Sequence, residues 1–352
     1  MIPGNPIHVI EMYGELWCCT VALGERPTDR NDDMHIRNTS IKIAGVGTAL
    51  PPTRVSNGEI ISTQLKSSDE WVRKNLGIIE RRISQNASDS TNALAVTAAA
   101  DAIRQAGIGT SEIGGIIVAT ATPDQLAPST ACSIQGALGI RNQSFAFDVN
   151  AVCTGFIYGL SLAVSLLESS SVDNVLVVGV DVFSRVTDWR DRSCVFFGDG
   201  AGAIVVQRVE PGTSFFASSI YADGVGVDGF KIPGDSRKFE MDAHAVYDHA
   251  TTALPDAIKQ LLSSLNIDLS AIDHIVPHQP SIKVLNRLAD VLGVPHERVL
   301  KNMALRGNTA AATVPLLLGE RVSDGTIKPG DLILMAAVGS GWTWGVCVYE
   351  WQ

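Results

Sequence analysis

Three side chains in this sequence have the chemistry of a nucleophilic site. Cys153 lies in DVNAVCTGFIYGLSLAVSLLESS, after a strand-like run and at the start of a helical stretch that is apolar on nearly every face. A helix of that kind is buried, so its free N-terminal amides and positive dipole end stand inside the protein. There they favour the thiolate, the nucleophilic form of cysteine. Taken alone, Cys153 is equally well explained as a small core residue. His278 follows HIVP and precedes Gln279-Pro280, at the carboxyl end of a strand, where α/β proteins place function. A satisfied polar group in a turn is the alternative. Asn308, in ALRGNTAAATVPLLLGE, suits a helix N-cap. Brought to one place by a fold, thiol, imidazole and amide make a nucleophilic constellation.

The elements that would position them are α/β. IKIAGVGTALP from Ile41 has the form of a glycine-ended strand, ALAVTAAADAIRQAG of a helix stopped at Gly107, and GGIIVATATP of a strand covered on both faces. Helices alternating with buried strands indicate α/β architecture. The second half repeats the first. DAIRQ at Asp101 and IIVATATP match DAIKQ at Asp256 and HIVPHQP, at offsets of 155 and 159. Cys153-Thr-Gly-Phe matches Asn308-Thr-Ala-Ala at 155, and NVLVVGVDV matches DLILMAAVG at 157. Each half ends in a Gly-rich turn and a strand, GDGAGAIVVQRV and GSGWTWGVCVYEW. Matches at nearly one offset imply two halves, 41–210 and 211–352, packed about a pseudo-dyad with the helix starts at Cys153 and Asn308 meeting centrally. Residues 1–40 are mixed in character and are expected to be a flexible N-terminal extension.

Composition bounds the partners. At 352 residues, 37.4 kDa and mean hydropathy +0.17, the chain can bury a large core in one body or two. A net charge of −10 and a pI near 5.2, without a basic stripe, exclude a nucleic-acid-binding face. The longest apolar run near the start, Leu16 to Leu23, is too short to span a bilayer and lacks a basic flank, so neither membrane segment nor signal peptide is expected. The six cysteines form no CxxC pair and no His/Cys ligand spacing, so no disulfide framework or metal site is expected, and the cytoplasm is the expected compartment. GDGAG from Gly198 precedes a strand, whereas a dinucleotide fingerprint opens a helix. It is expected to be a tight turn, and no cofactor is implied.

SDEWVRKNLGI, GIIERRI, TPDQLAPSTAC, AVCTGFIYGL, FGDGAGAIVV, VPHQPSIKVL, GNTAAATVP and GSGWTWG run in that order across almost the whole chain from Ile41. In that combination the sequence resembles β-ketoacyl-acyl-carrier-protein synthase III, the condensing-enzyme family of the thiolase-like superfamily that initiates fatty-acid synthesis. The resemblance implies a five-layer αβαβα fold and a homodimer. It implies an acyl-CoA-primed, decarboxylating Claisen condensation with malonyl-acyl carrier protein. It also implies Cys153 as nucleophile, His278 and Asn308 as the rest of a triad, and the Cys153 and Ser340 amides as an oxyanion hole. Trp71 would stack on the adenine of coenzyme A, with Arg192 facing the base from the other side. The residue types suit the chemistry: loss of the malonyl carboxylate leaves an enolate oxygen, which two neutral donors stabilise in a dry site.

Several positions depart from the family pattern. Asn75-Leu76 replaces an Arg-Thr pair, removing a cation from the coenzyme A phosphate region. Val338 replaces a phenylalanine before the Gly-rich turn, Ala127 a bulky residue in the loop reaching the partner's acyl pocket, and His244 an asparagine. Two losses of aromatic bulk predict a wider acyl cavity and a primer larger than acetyl. Docking an acidic carrier on an acidic protein requires a local basic patch, for which Lys283 and Arg287 are the candidates; Asp248 and Asp290 stand against it. Two other functions fit fewer residues. An acyltransferase passing the acyl group to an alcohol or amine needs no decarboxylation, and a noncatalytic scaffold needs no nucleophile at all.

Overall fold

The computed structural model describes residues 35–352 apart from 62–64 and 66. Its main strands are β1 (His35–Asn38), β2 (Ile41–Ala49), β3 (Gly115–Ala119), β4 (Phe145–Val149), β5 (Asn174–Val182), β6 (Asp199–Arg208), β7 (Phe216–Ala222), β8 (His274–Pro277), β9 (Leu332–Gly339) and β10 (Thr343–Glu350). Its main helices are α1 (Asp69–Leu76), α2 (Thr91–Ala106), α3 (Thr130–Ala137), α4 (Gly155–Ser169), α5 (Ala243–Leu265), α6 (Ile282–Leu292) and α7 (Thr313–Ser323).

Two five-stranded sheets run in the orders β2-β6-β5-β3-β4 and β1-β7-β10-β9-β8. In the first, β3 is parallel to β4 and β5, while β6 is antiparallel to β5 and β2. The second repeats this with β8 parallel to β9, and β10 antiparallel to β9 and β7. Helices α2 and α3 cover the outer face of the first sheet, α5 lies on the second, and α4 and α7 touch both. The result is five layers, αβαβα. The sequence explains the middle layer: α4 buries Phe156, Ile157, Leu160, Val164 and Leu167, and α7 buries Val314, Leu316, Leu317 and Leu318. A helix apolar all round must be covered all round. The segment 152–169 has the length and hydropathy of a membrane span, and here it is a core helix between two sheets.

Three expectations shift. The extension predicted over 1–40 gives way at His35, since His35–Asn38 pairs antiparallel with β7; residues 1–34 lie outside the described residues. Four residues ending in Arg37 and Asn38 show too little periodicity to be recognised as a strand. The GDGAG segment is strand interior, with only Gly198 before β6. A Cβ on Gly202 would lie 2.7 Å from the backbone N of Leu316, so glycine there lets α7 approach the sheet. The repeat, finally, has one true offset near 158. Helix α2 ends at Gly107 and α5 at Asn266, both left-handed caps, and β5 and β9 begin at Asn174 and Leu332. DAIRQ and DAIKQ therefore sit one helical turn out of register. Cys153 corresponds to Ala311, and Asn308 corresponds to Asn150.

Candidate active site

Cys153 is in a 3-10 turn, Val152–Thr154, between β4 and α4, and Ala310–Ala312 is the matching turn before α7. Val152 (φ 46°) and Ala310 (φ 48°) hold the same left-handed backbone, which L residues adopt only when the surroundings impose it. Each is preceded by an asparagine whose Oδ1 accepts an amide two residues on: Asn150 from Val152 at 3.4 Å, Asn308 from Ala310 at 2.9 Å. Asn308 is thus an Asx turn rather than a helix N-cap. Its backbone N donates to Phe196 O at 2.9 Å and its O accepts from Gly198 N at 3.0 Å, fixing it to the segment before β6. With Oδ1 engaged, the Asn308 Nδ2 amide hydrogens are left for a ligand.

His278 follows β8. Its amide donates to Ala336 O at 2.7 Å, extending the parallel ladder by one residue. Gln279 locks the next step, donating to Pro277 O and Leu300 O at 3.0 and 3.1 Å and accepting from Asn302 N at 3.1 Å. The imidazole is 3% exposed and Nδ1 has no hydrogen-bond partner. Burial pushes its pKa down to about 3, so His278 is neutral at physiological pH.

A cavity of about 460 Å³ joins these side chains, with Cys153, His278, Asn308, Ser340 and Val338 in its wall and Trp71, Asn75, His244 and Lys283 also lining it. Gly339 brings the GSG turn onto the nucleophile: a Cβ there would stand 2.8 Å from Ala151 O and 3.0 Å from Thr154 N. Thr154 Oγ1 and Thr343 Oγ1 are 3.1 Å apart and pin the two turns together. The repeat shows what such a turn can hold. The Ala311 amide, equivalent to that of Cys153, donates to the Asp181 carboxylate at 3.0 Å. At offset 158 the counterpart of Asp181 is Gly339, so that position offers the Cys153 turn no carboxylate. In the turn at Cys153 the Val152 amide donates to Asn150 Oδ1 and the Thr154 amide to Ala151 O, which leaves the Cys153 amide as the donor without a partner among the described residues.

The resting thiolate is not what the structure builds. Burial, and then the Asp181 carboxylate, push the Cys153 thiol well above its ordinary range, against the lowering effect of its own backbone amide. Cys153 lies two residues before α4 begins, in a site drier than the helix terminus can offset. The adenine clamp also differs: the Arg192 guanidinium lies 4.1 Å over the Trp71 ring. A base between two planar groups needs two contact spacings of about 3.5 Å each, so Arg192 must move for a sandwich to form. Ala127 is exposed and outside this cavity, as is Arg287, which lies one helical turn from exposed Lys283 on α6. The two acids noted against a basic patch are each beside a histidine, Asp248 at 3.4 Å from His244 and Asp290 at 3.0 Å from His296.

Nor is the surround of Cys153 wide. Four buried phenylalanines, Phe183, Phe197, Phe230 and Phe239, pack with Cys153 in one cluster. Phe183 stacks on Phe197 at 4.5 Å, and Phe230 on Phe239 at 5.7 Å. They come from four separate segments, so only FFGDG hinted at them in sequence. Val338 packs elsewhere, with Ala250 and Val284.

The chain is similar to known condensing enzymes along most of its length. The family pattern described as 3-oxoacyl-[acyl-carrier-protein] synthase III matches residues 147–224, and its C-terminal counterpart matches residues 262–351. A β-ketoacyl-[acyl-carrier-protein] synthase III of Rhizorhabdus wittichii is 42% identical over 319 residues, covering 88% of this chain and 98% of the relative. One of Clostridium perfringens is 39% identical over 323 residues, again 88% of this chain and 98% of the relative. The crystal structure of 3-oxoacyl-[acyl-carrier-protein] synthase III from Aquifex aeolicus superposes with a TM-score of 0.85 at 36% identity, covering 88% of this chain and all of that one. With a thiolase-like fold and similarity along nearly the whole of these relatives, the chain belongs to the β-ketoacyl-acyl-carrier-protein synthase III family.

Proposed function

We propose that this protein primes fatty-acid synthesis by a decarboxylating Claisen condensation between an acyl-CoA and malonyl-acyl carrier protein. The observation that carries the reading is one cavity holding a buried thiol, a neutral imidazole and a free amide edge together. Cys153 sulfur attacks the thioester carbonyl of the acyl-CoA, and the oxyanion is held by the Cys153 and Ser340 amides. The carbon–sulfur bond to coenzyme A breaks, and the Cys153 proton leaves on the coenzyme A thiol. A thiol that rests protonated suits this step, because proton and acyl group change places with no net charge left in a dry site.

The malonyl thioester then occupies the same cavity. Its carboxylate departs as carbon dioxide, and the electron pair moves into an enolate whose oxygen accepts from His278 and Asn308 Nδ2. The carbanion attacks the Cys153 acyl carbonyl, and Cys153 leaves as thiolate and regains a proton from solvent. Neutral donors suit this half-reaction: a carboxylate in their place would repel the malonyl group and the enolate alike. Trp71 in the cavity wall and Arg192 over its ring would meet the nucleotide end of coenzyme A, with His244 lining the same cavity. Lys283 and Arg287 form the basic face for the carrier. A homodimer in the cytoplasm is the expected form.

The test is intact-mass measurement of wild type and Cys153→Ala after exposure to a panel of acyl-CoAs, with carbon dioxide release from malonyl-acyl carrier protein followed in parallel. An adduct on wild type alone, discharged as carbon dioxide forms, is expected. An adduct discharged to alcohols or amines with no carbon dioxide would overturn the reading.

A further inference from the structure

A second, rear cavity of about 300 Å³ adjoins the first, lined by Asn150, Val152, Val227, Phe230, Ile232 and Ser340 among others. Phe230 and Ser340 line both. Val152 faces the rear cavity and the adjacent Cys153 the front one, so the partition passes between consecutive residues of the nucleophile's own turn. The side-chain part of that partition is Phe230. Its ring is 7% exposed, and its centroid lies 6.2 Å from that of Phe183 and 6.1 Å from that of Phe197. The Phe230 carbonyl accepts a hydrogen bond from Ser340 Oγ, which ties the partition to the turn proposed to hold the oxyanion. The front cavity has to admit the pantetheine arm as well as the acyl group. The rear one, at the lower limit of volumes that hold small ligands, is otherwise unused.

We propose that Phe230 sets the primer length, closing the catalytic cavity off from the rear one so that the protein takes short acyl groups of about two to four carbons. A longer chain reaches the rear cavity only when the ring is removed or displaced. This inference rests on Cys153 being the acyl acceptor. It departs from the larger primer expected from Val338 and Ala127, because Phe230 stands between the two cavities whatever the bulk at those positions.

Acylation rates for acetyl-CoA and octanoyl-CoA, read by intact mass, test it in four proteins: wild type, Phe230→Ala, Phe230→Leu, and Phe230→Ala combined with Val227→Trp. Val227 is 60% exposed on the rim of the rear cavity, where an indole would refill the space opened. Wild type is expected to prefer acetyl. The octanoyl-to-acetyl ratio should rise by about 10-fold or more in Phe230→Ala and less in Phe230→Leu, as pocket walls discriminate surplus methylenes. The added Val227→Trp should take that gain back. Phe230→Leu retains most of the packing and reads the same ratio if the alanine variant does not fold. Equal acetyl and octanoyl rates in wild type overturn the proposal. So does an unchanged ratio in a folded Phe230 variant, or a gain that survives in the double variant. A wild type that no acyl-CoA modifies overturns the underlying assignment of Cys153 instead.

Discussion

The neutrality of His278 can be tested by pH alone. The imidazole is 3% exposed and its pKa is pushed to about 3 by burial. At pH 5 a histidine of pKa about 3 is protonated in roughly 1 molecule of 100, whereas an ordinary histidine near 6.5 is protonated in about 97 of 100. Carbon dioxide release from malonyl-CoA should therefore vary by less than about twofold from pH 7.5 to pH 5.5 as far as His278 is concerned. The assay follows released carbon dioxide across that range for wild type and for the residual rate of His278→Gln. A fall centred near pH 6.5 in wild type and absent from the variant would refute the burial argument. A fall near 6 common to both would belong to Asp181 or Asp199, whose carboxyls burial raises to about 6. Stability carries the same signature. A base whose folded pKa is depressed contributes stability that is present above its unfolded pKa and lost as pH falls toward the folded value. At pH 4, some 2.5 units below the ordinary value, the loss is about 3 kcal/mol. Chemical denaturation at pH 7 and pH 4 should show His278→Gln losing correspondingly less than wild type.

Other expectations follow from the same site. Asn308→Asp keeps an oxygen for the Ala310 amide but presents a carboxylate to the enolate; malonyl decarboxylation should fall by about 100-fold or more while the melting temperature changes little. Gly339→Ala places a Cβ 2.8 Å from Ala151 O, which forces the GSG turn off the nucleophile. Stopped-flow acylation should slow by about 100-fold, as displacements near 1 Å do in other sites, and an unchanged rate would dissociate that turn from catalysis. Trp71→Ala removes the surface under Arg192. Loss of the ring proposed to stack on the adenine, about 0.5–1 kcal/mol, should appear as a two- to fivefold rise in KM for acyl-CoA, with a smaller change in kcat.

Much of this was written in the sequence, and what was not has a physical reason. The α/β class, the middle-layer helices and the convergence of Cys153, His278 and Asn308 came from apolar runs and repeated motifs, which are local. The register of the repeat did not. DAIRQ and DAIKQ fall four residues from true equivalence, and a four-residue slip returns a helix to the same face, so pattern alone cannot detect it. The protonation of Cys153 depends on how completely it is buried and on Asp181, twenty-eight residues away on the next strand but one. The phenylalanine cluster joins Phe183, Phe197, Phe230 and Phe239, which have no common spacing and meet only through tertiary folding. Strand β1 has four residues and exists because β7 offers an edge for it.

The matched turns have a consequence for how the protein came to have one active site rather than two. The backbone cradle at Cys153 occurs again at Ala311, with the same left-handed residue and the same asparagine before it. The second copy has an alanine where the first has the thiol, and β5 of the first half sets the Asp181 carboxylate, where the second half has Gly339, into its cradle. A duplicated ancestor would have begun with two equivalent halves. At the two cradles the halves now differ by an alanine against the cysteine and an aspartate against the glycine. The silenced copy, its amide stoppered from within, was then free to serve as the rigid floor on which the working one stands.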